Sequence, residues 1–278
     1  MISSFIIKTK QQITLREYLK SCYLSNSYIY KLGVLNAISN DSGYILLDDE
    51  LKDREVIYIN FSMLEVNNLP LNINEKDTLK VIYEDDNIIG VYKKRGMLVH
   101  SDGSGIKTLF DDVSNYLLSK GDDSFIRPLH RLDVDTCGVV IFSKNVLSHA
   151  YISRMMEENK IEKEYRCYVE GAVNEDGFVD IGIGRDRHNS KKSIAIKSGK
   201  NAFTKYEVLK KYKDRTYLKV NIKTGRTHQI RVHMAYIKHP IIGDSLYGGR
   251  KDKLMLMCKK MSFVLFDKKI NVCCSEEL

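Results

Sequence analysis

The chain has 278 residues, 43% of them hydrophobic, enough for one large domain or two smaller ones with a buried core. No run of about 18 apolar residues occurs, which excludes a membrane-spanning helix. The net charge is +8 and uneven: residues 1–64 carry seven Lys/Arg against seven Asp/Glu, whereas residues 81–278 carry 35 against 26. A basic excess of this kind suits a polyanion such as nucleic acid, though composition alone describes a soluble basic protein equally well.

The N-terminal "MISSFIIKTKQQ" has no basic segment before its short apolar run and no small-residue cleavage site, so no secretory signal is expected. Six cysteines (Cys22, Cys137, Cys167, Cys258, Cys273, Cys274) form no CxxC pair. Structural zinc is therefore not expected, and scattered thiols without an export signal point to a reducing cytoplasm.

In chain order, "SSFIIKT" reads as a short strand. Leu15, Leu19, Tyr23, Ile29 and Leu32 then follow at helical spacing. "GYILLDDELKDREVIYINF" alternates and breaks like a small sheet. "EVNNLPLNINEKDT", with one of the three prolines, reads as a linker over residues 65–78. Residues 1–64 are thus expected to form a small α/β domain and residues 79–278 a larger one. "LKVIYEDDNIIGVYKK" predicts two strands around an acidic turn, and Leu109, Val113, Tyr116 and Leu117 predict a helix. "CGVVIFSKN" predicts a buried strand. A helix follows it, with Asn145 as cap. "KEYRCYVEG" alternates as a strand, as does "TYLKVNI" with Leu218, Val220 and Ile222 inward. A Thr-Gly turn then leads into a helix that stops near Pro240. Strands outnumber helices and are often sequentially adjacent, so an α+β fold with a mostly antiparallel sheet is expected.

Four stretches can carry chemistry. In "RPLHRLDVDTCG", His130, Arg131, Asp133 and Asp135 sit in a loop entering the buried strand. Asp133 there can be a nucleophile, a general base or a metal ligand, and a surface ion pair is the plainer alternative. In "TGRTHQIRVHM", Arg226, His228, Arg231 and His233 load a helix start with donors suited to phosphate or carboxylate. His228 and His233 are five apart, so metal ligation is not expected. In "EKEYRCYVEG", Lys163 and Tyr165 share one strand face. A tyrosine so held can stack on a base, act through its hydroxyl or simply fill the core. Residues 185–200 carry six Lys/Arg (Arg185, Lys191 and Lys192 among them) against one acid, a basic loop or ribbon suited to neutralising phosphates.

These blocks, in this order, resemble the RluA/RluD-type pseudouridine synthases. "HRLDVDTCG" resembles their signature. "VIYEDDNIIGVYKKRGMLVH" is similar to their opening strand pair, "KEYRCYVEG" to their tyrosine block, and "TGRTHQIRVHMAYIKHPIIGDSLYGG" to their arginine block. The resemblance covers about residues 79–265. Residues 1–64 resemble a degenerate S-four-type RNA-binding domain.

The resemblance implies a pseudouridine synthase fold and an RNA isomerase that detaches uracil from its ribose, rotates it and rejoins it through carbon five, with no cofactor and no metal. It implies Asp133 as the essential carboxylate, attacking the anomeric carbon or driving elimination there. It implies Tyr165 against the uracil, Arg231 paired with Asp133, and Arg131 entering the RNA stack where the target base leaves. Lys163, His130, Arg226, His228, Arg185, Lys191 and Lys192 would contact RNA. Large-subunit ribosomal RNA is the expected partner, with tRNA the alternative, for a cytoplasmic monomer away from membranes. Two other readings stay open: a non-catalytic RNA-binding or ribosome assembly factor, and a metal-dependent nuclease using Asp133 and Asp135.

The chain departs from the family at Tyr92-Lys93-Lys94-Arg95-Gly96, where Asn-Lys-Pro is usual before the glycine. It departs again at Cys137, usually Ser, and at Met257 and Cys258 in a degenerate late element. None of these falls on Asp133, Tyr165 or Arg231.

Overall fold

A computed structural model describes residues 2–7, 12–64, 79–122, 125–250 and 252–278; the expected linker at 65–78 lies outside them. The chain divides into two compact units. One comprises Met1–Val91, Val99–Arg131 and Val140–Glu158; the other comprises Tyr92–Leu98, Leu132–Val139 and Asn159–Leu278.

The first unit begins with strand β1 (Ile2–Ile6), a short β2 (Ile13–Thr14) and helices α1 (Leu15–Ser21) and α2 (Asn26–Val34). Strands β3 (Ile38–Asn40), β4 (Gly43–Tyr44), β5 (Glu50–Leu51) and β6 (Val56–Asn60) follow. β1, β6, β3 and β4 form an antiparallel sheet in that order, and β2 pairs with β5. Thr14 and Glu17 close a capping box on α1, each satisfying a backbone N–H of the other. The helical stripe is interrupted. Tyr23 takes a φ of 63° and is exposed, and Ser25 then caps a new helix by accepting the Tyr28 N–H. Leu15, Leu19, Ile29 and Leu32 remain buried.

β7 (Lys80–Glu84), β8 (Ile88–Lys93), α3 (Leu109–Ser119) and β9 (Arg127–Pro128) come next, followed by β10 (Cys137–Ser143) and α4 (Val146–Glu157). β7, β8 and β10 are neighbours in one sheet, and β9 pairs antiparallel with the end of β10. Every residue of β10 is buried, as its apolar run predicts. Asn145 accepts the Ser148 N–H at 2.8 Å, the expected cap of α4. β8 and β10 each contribute residues to both units.

The second unit is built on β11 (Glu162–Glu170), β12 (Gly177–Asp180), β13 (Ile183–Arg185), β14 (Ser193–Ala195), β15 (Phe203–Lys211) and β16 (Arg215–Ile222). Helix α5 (Gln229–Tyr236) and strands β17 (Leu256–Leu265) and β18 (Lys268–Cys273) complete it. The sheet order is β12-β15-β16-β11-β17, all antiparallel, with β18 antiparallel on β17. β17 also pairs in parallel with Cys137 and Gly138 of β10. The fold is thus α+β with a mixed, mostly antiparallel sheet. β11 and β16 alternate strictly, burying Lys163, Tyr165, Cys167 and Val169 on one strand and Thr216, Leu218, Val220 and Ile222 on the other. The site residues Lys163 and Tyr165 therefore face inward with the core.

Candidate active site

Asp133 lies on the loop that becomes β10. Three features hold that loop. Gly138 has a φ of 116°, and a Cβ there would sit 2.2 Å from the Cys258 carbonyl oxygen, so only glycine lets β10 approach β17 so closely. Lys93, fully buried, donates its three ammonium protons to the carbonyls of Lys94 (3.1 Å), Met97 (2.7 Å) and Val134 (2.8 Å). The third bond grips the residue next to Asp133. Burial lowers the Lys93 pKa to about 8, against an opposing pull from Cys137, Asp133 and Asp135. The Thr136 N–H also donates to the Asp133 carbonyl at 3.0 Å, a tight turn across the loop.

Arg231 sits in the first turn of α5. Its Nε and Nη2 donate to the two oxygens of Asp244, at 2.8 and 2.9 Å, a bidentate pair. The remaining Nη1 donates to Asp133 Oδ2 at 3.1 Å, the pairing expected from the sequence. The two carboxylates differ in access. The Asp244 side chain has no exposed surface, whereas that of Asp133 is 21% exposed and so can meet a substrate. Burial works against the Arg231 charge, but the hydrogen bonds and charges of Asp244, then Asp133, more than offset it and raise its pKa.

His228 precedes α5 with a left-handed φ of 56°. Its Nε2 lies 3.8 Å from Asp133 Oδ2 and its Nδ1 2.9 Å from the Tyr247 hydroxyl. The Arg231 guanidinium lies 5.2 Å from the centre of the Tyr247 ring. Gln229 holds the preceding turn together: it accepts from the Thr224 hydroxyl and the Arg226 N–H and donates to the Phe203 carbonyl.

Tyr165 is buried, and its pKa is raised well above the usual value by burial first, then by Cys258 and Asp133. It pairs across the strands with Val220 of β16 and Cys258 of β17, and the ladder shifts register just before it. Cys258, one of the residues departing from the family pattern, thus lies against Tyr165. Burial raises the Cys258 thiol to about 12 and keeps it protonated. Lys163, two residues before Tyr165, is also buried, and burial lowers its pKa.

The basic stretch forms a two-stranded ribbon, β13 against β14. A cavity of about 600 Å³ opens on it, lined by Arg185, Lys191, Lys192, Lys200 and Arg226, with no acidic residue in its wall among the described residues. Arg226 also donates to the Asn201 carbonyl at 3.0 Å. His233 is buried and tied to Thr204 and the Ile181 carbonyl, a position within the core. In the first unit, Arg131 is exposed, and the His130 Nε2 accepts the Ile141 N–H at 3.2 Å.

Asp133, Arg231, His228 and the ribbon therefore belong to one unit, with Tyr165 close enough for the Asp133 charge to act on it. Asp244, Tyr247 and Lys93 are not among the site residues expected from the sequence. Asp244 and Tyr247 stand in "GDSLYGG", where three glycines and a polar pair after an apolar run signal a tight functional turn. Lys93 is the last residue of an otherwise apolar strand and the first of three consecutive cations, so nothing local marks it as the buried one.

The sequence profile of the family described as RNA pseudouridylate synthase matches residues 87–236. The chain is 32% identical over 280 residues to "Ribosomal large subunit pseudouridine synthase D" of Borreliella burgdorferi, a match covering 97% of this chain and 79% of that one. Identity to the protein of the same name from Buchnera aphidicola is 35%, covering 82% of this chain and 75% of that one. For the Vibrio cholerae protein of that name it is 37%, covering 67% of this chain and 55% of that one, so the chain spans little more than half of that relative. The solved structure of "Human RNA Pseudouridylate Synthase Domain Containing 1" shares the fold, with a TM-score of 0.63 at 22% identity, over 72% of this chain and 84% of that one.

Proposed function

The chain belongs to the RNA pseudouridylate synthase family, and from that premise we propose that it isomerises uridine to pseudouridine in structured RNA, in the first place large-subunit ribosomal RNA. The observation that carries this reading is the Asp133 carboxylate, the accessible one of two, held by an Arg231 whose Nε and Nη2 edge is fixed by Asp244. A nucleophilic carboxylate has to be aimed, and a single bond from Arg231 to Oδ2 does so while leaving Oδ1 of Asp133 for the substrate.

In the proposed reaction, Asp133 bonds to the anomeric carbon as the bond to uracil N1 breaks. The uracil leaves with that electron pair, rotates, and re-attacks through C5. Asp133 is then released, N1 gains a proton and C5 loses one. Tyr165 stacks against the uracil; burial keeps its hydroxyl protonated, so it serves there as a hydrogen-bond donor, and the C5 proton leaves to solvent. A base within a duplex is out of reach, so it must be extruded, and Arg131 is the planar cation to fill the gap. The cations of the ribbon hold the backbone: Arg185, Lys191, Lys192 and Arg226 line one cavity there. Lys163, His130 and His228 complete the RNA contacts. Residues 1–64 act as a small RNA-binding domain ahead of the catalytic domain at 79–278, and the protein works as a cytoplasmic monomer.

The test is pseudouridine mapping on ribosomal RNA and tRNA incubated with purified protein. Modification of ribosomal RNA is expected, and Asp133→Asn should lower it by at least about a thousandfold, the scale seen on losing a nucleophile, while RNA remains bound. Modification confined to tRNA would move the same chemistry to that substrate. Binding with no modification of any RNA would overturn the catalytic reading in favour of an assembly factor. Loss of activity with a chelator would favour the metal-dependent alternative.

A further inference from the structure

Asp133 has a second polar neighbour, and it is held from behind. His228 Nε2 lies 3.8 Å from Asp133 Oδ2, an electrostatic contact rather than a hydrogen bond. The other ring nitrogen meets the Tyr247 hydroxyl at 2.9 Å, and that hydroxyl accepts the Ser193 N–H, also at 2.9 Å. One placement of protons on a neutral ring makes both of these contacts favourable. Ser193 occupies a lone pair of the phenol oxygen, the phenol proton goes to Nδ1, and Nε2 then carries the ring proton towards Asp133. The opposite tautomer would aim a lone pair at a carboxylate.

Two further observations point the same way. His228 adopts a left-handed backbone, uncommon for a residue with a side chain, and the surroundings hold it there. Tyr247 does more than fill space. Its ring lies 5.2 Å from the Arg231 guanidinium and 5.3 Å from Lys192 Nζ, and it meets the His228 ring edge-on at 5.7 Å. One side chain thus touches the cation that holds Asp133, the imidazole beside it, and two residues of the basic ribbon.

We infer that His228 is a positioning residue for Asp133, its ring proton directed at the carboxylate by the Tyr247 hydroxyl, which the Ser193 backbone of the ribbon holds in place. The ribbon is thereby coupled to the carboxylate: a backbone seated on the ribbon steadies Tyr247, and through it the imidazole. The catalytic consequence rests on the function proposed above, but the tautomer does not.

The test compares wild type with His228→Asn, His228→Gln and Tyr247→Phe. Asparagine tolerates the left-handed backbone but ends short of Asp133, whereas glutamine carries an amide N–H out to about the reach of Nε2. At saturating RNA, the rate of pseudouridine formation should fall by about 10- to 100-fold in His228→Asn, the scale of one lost electrostatic donor, and recover most of the way in His228→Gln. Tyr247→Phe should lower it by about tenfold, with a smaller change in RNA affinity. Equal rates in wild type and His228→Asn, or no recovery in His228→Gln, would overturn the positioning role. Nitrogen-15 NMR of the imidazole reads the tautomer whether or not turnover occurs. The Nε2–H form is expected in wild type and a mixture in Tyr247→Phe; an Nδ1–H form in wild type would overturn the inference. Wild-type protein inert on RNA yet showing the Nε2–H form would count against the proposed function alone.

Discussion

Arg231 shows how a single side chain is made specific. Its five donors would ordinarily spread over whatever acceptors are near, but Asp244 takes the Nε and Nη2 edge and leaves Nη1 for Asp133. Removing Asp244 leaves a buried guanidinium with one partner fewer. Asp244→Ala should therefore cost about 3–5 kcal/mol of stability, the usual cost of breaking a buried pair from one side, measurable by urea denaturation. Lys93 allows a prediction with a pH window. Its pKa in the folded protein is about 8, below the ordinary 10.5, so the folded state disfavours the ammonium. That cost is fully present below pH 8 and is relieved as pH rises towards 10.5. Relative to Lys93→Met, the wild type should gain up to roughly 3 kcal/mol between pH 8 and 10.5, and a flat difference in denaturation free energy would refute the assignment. Tyr165, by contrast, loses nothing to pH across this range below 10, because burial keeps its hydroxyl protonated.

The elements differ in how far local pattern specifies them. β10 is apolar throughout and buried throughout, and β11 and β16 alternate in both sequence and burial, because a pleated strand turns successive side chains to opposite faces. Asn145 and the Thr14–Glu17 box start their helices by satisfying N–H groups that would otherwise be orphaned. Tyr23 fits the helical period yet leaves the helix, because Ser25 offers a competing cap two residues later. The parallel junction of β10 with β17 is not written in either strand's period. It depends on Gly138, where a methyl group would meet the Cys258 backbone at 2.2 Å. Gly138→Ala should destabilise the protein by about 3 kcal/mol or more, combining a strained φ with overpacking. It should also lower turnover, since Cys258 lies against Tyr165. An unchanged melting temperature would show that the strands can move apart freely.

At the scale of the molecule, charge is partitioned: the first 64 residues are balanced, and the excess lies in residues 81–278. Affinity for RNA should therefore fall steeply with salt. Replacing Lys191, Lys192 and Arg226 together by alanine should weaken binding and make the slope of log affinity against log salt shallower, by about 0.7–0.9 for every phosphate that is no longer neutralised. An unchanged slope would remove the ribbon from the RNA surface. The sequence by itself determined the α+β class, the strands carrying Tyr165, the loop carrying Asp133 and the basic ribbon. Each is a local matter of period, turn chemistry or composition. Only the tertiary structure decided that Asp244 takes one edge of Arg231, that Tyr247 stands behind His228, and that Lys93 is buried under the Asp133 loop. Asp133 and Arg231 are 98 positions apart, and their meeting depends on strand order and register. Those are set by how whole faces pack, and a run of neighbouring residues carries no record of which distant face it will meet.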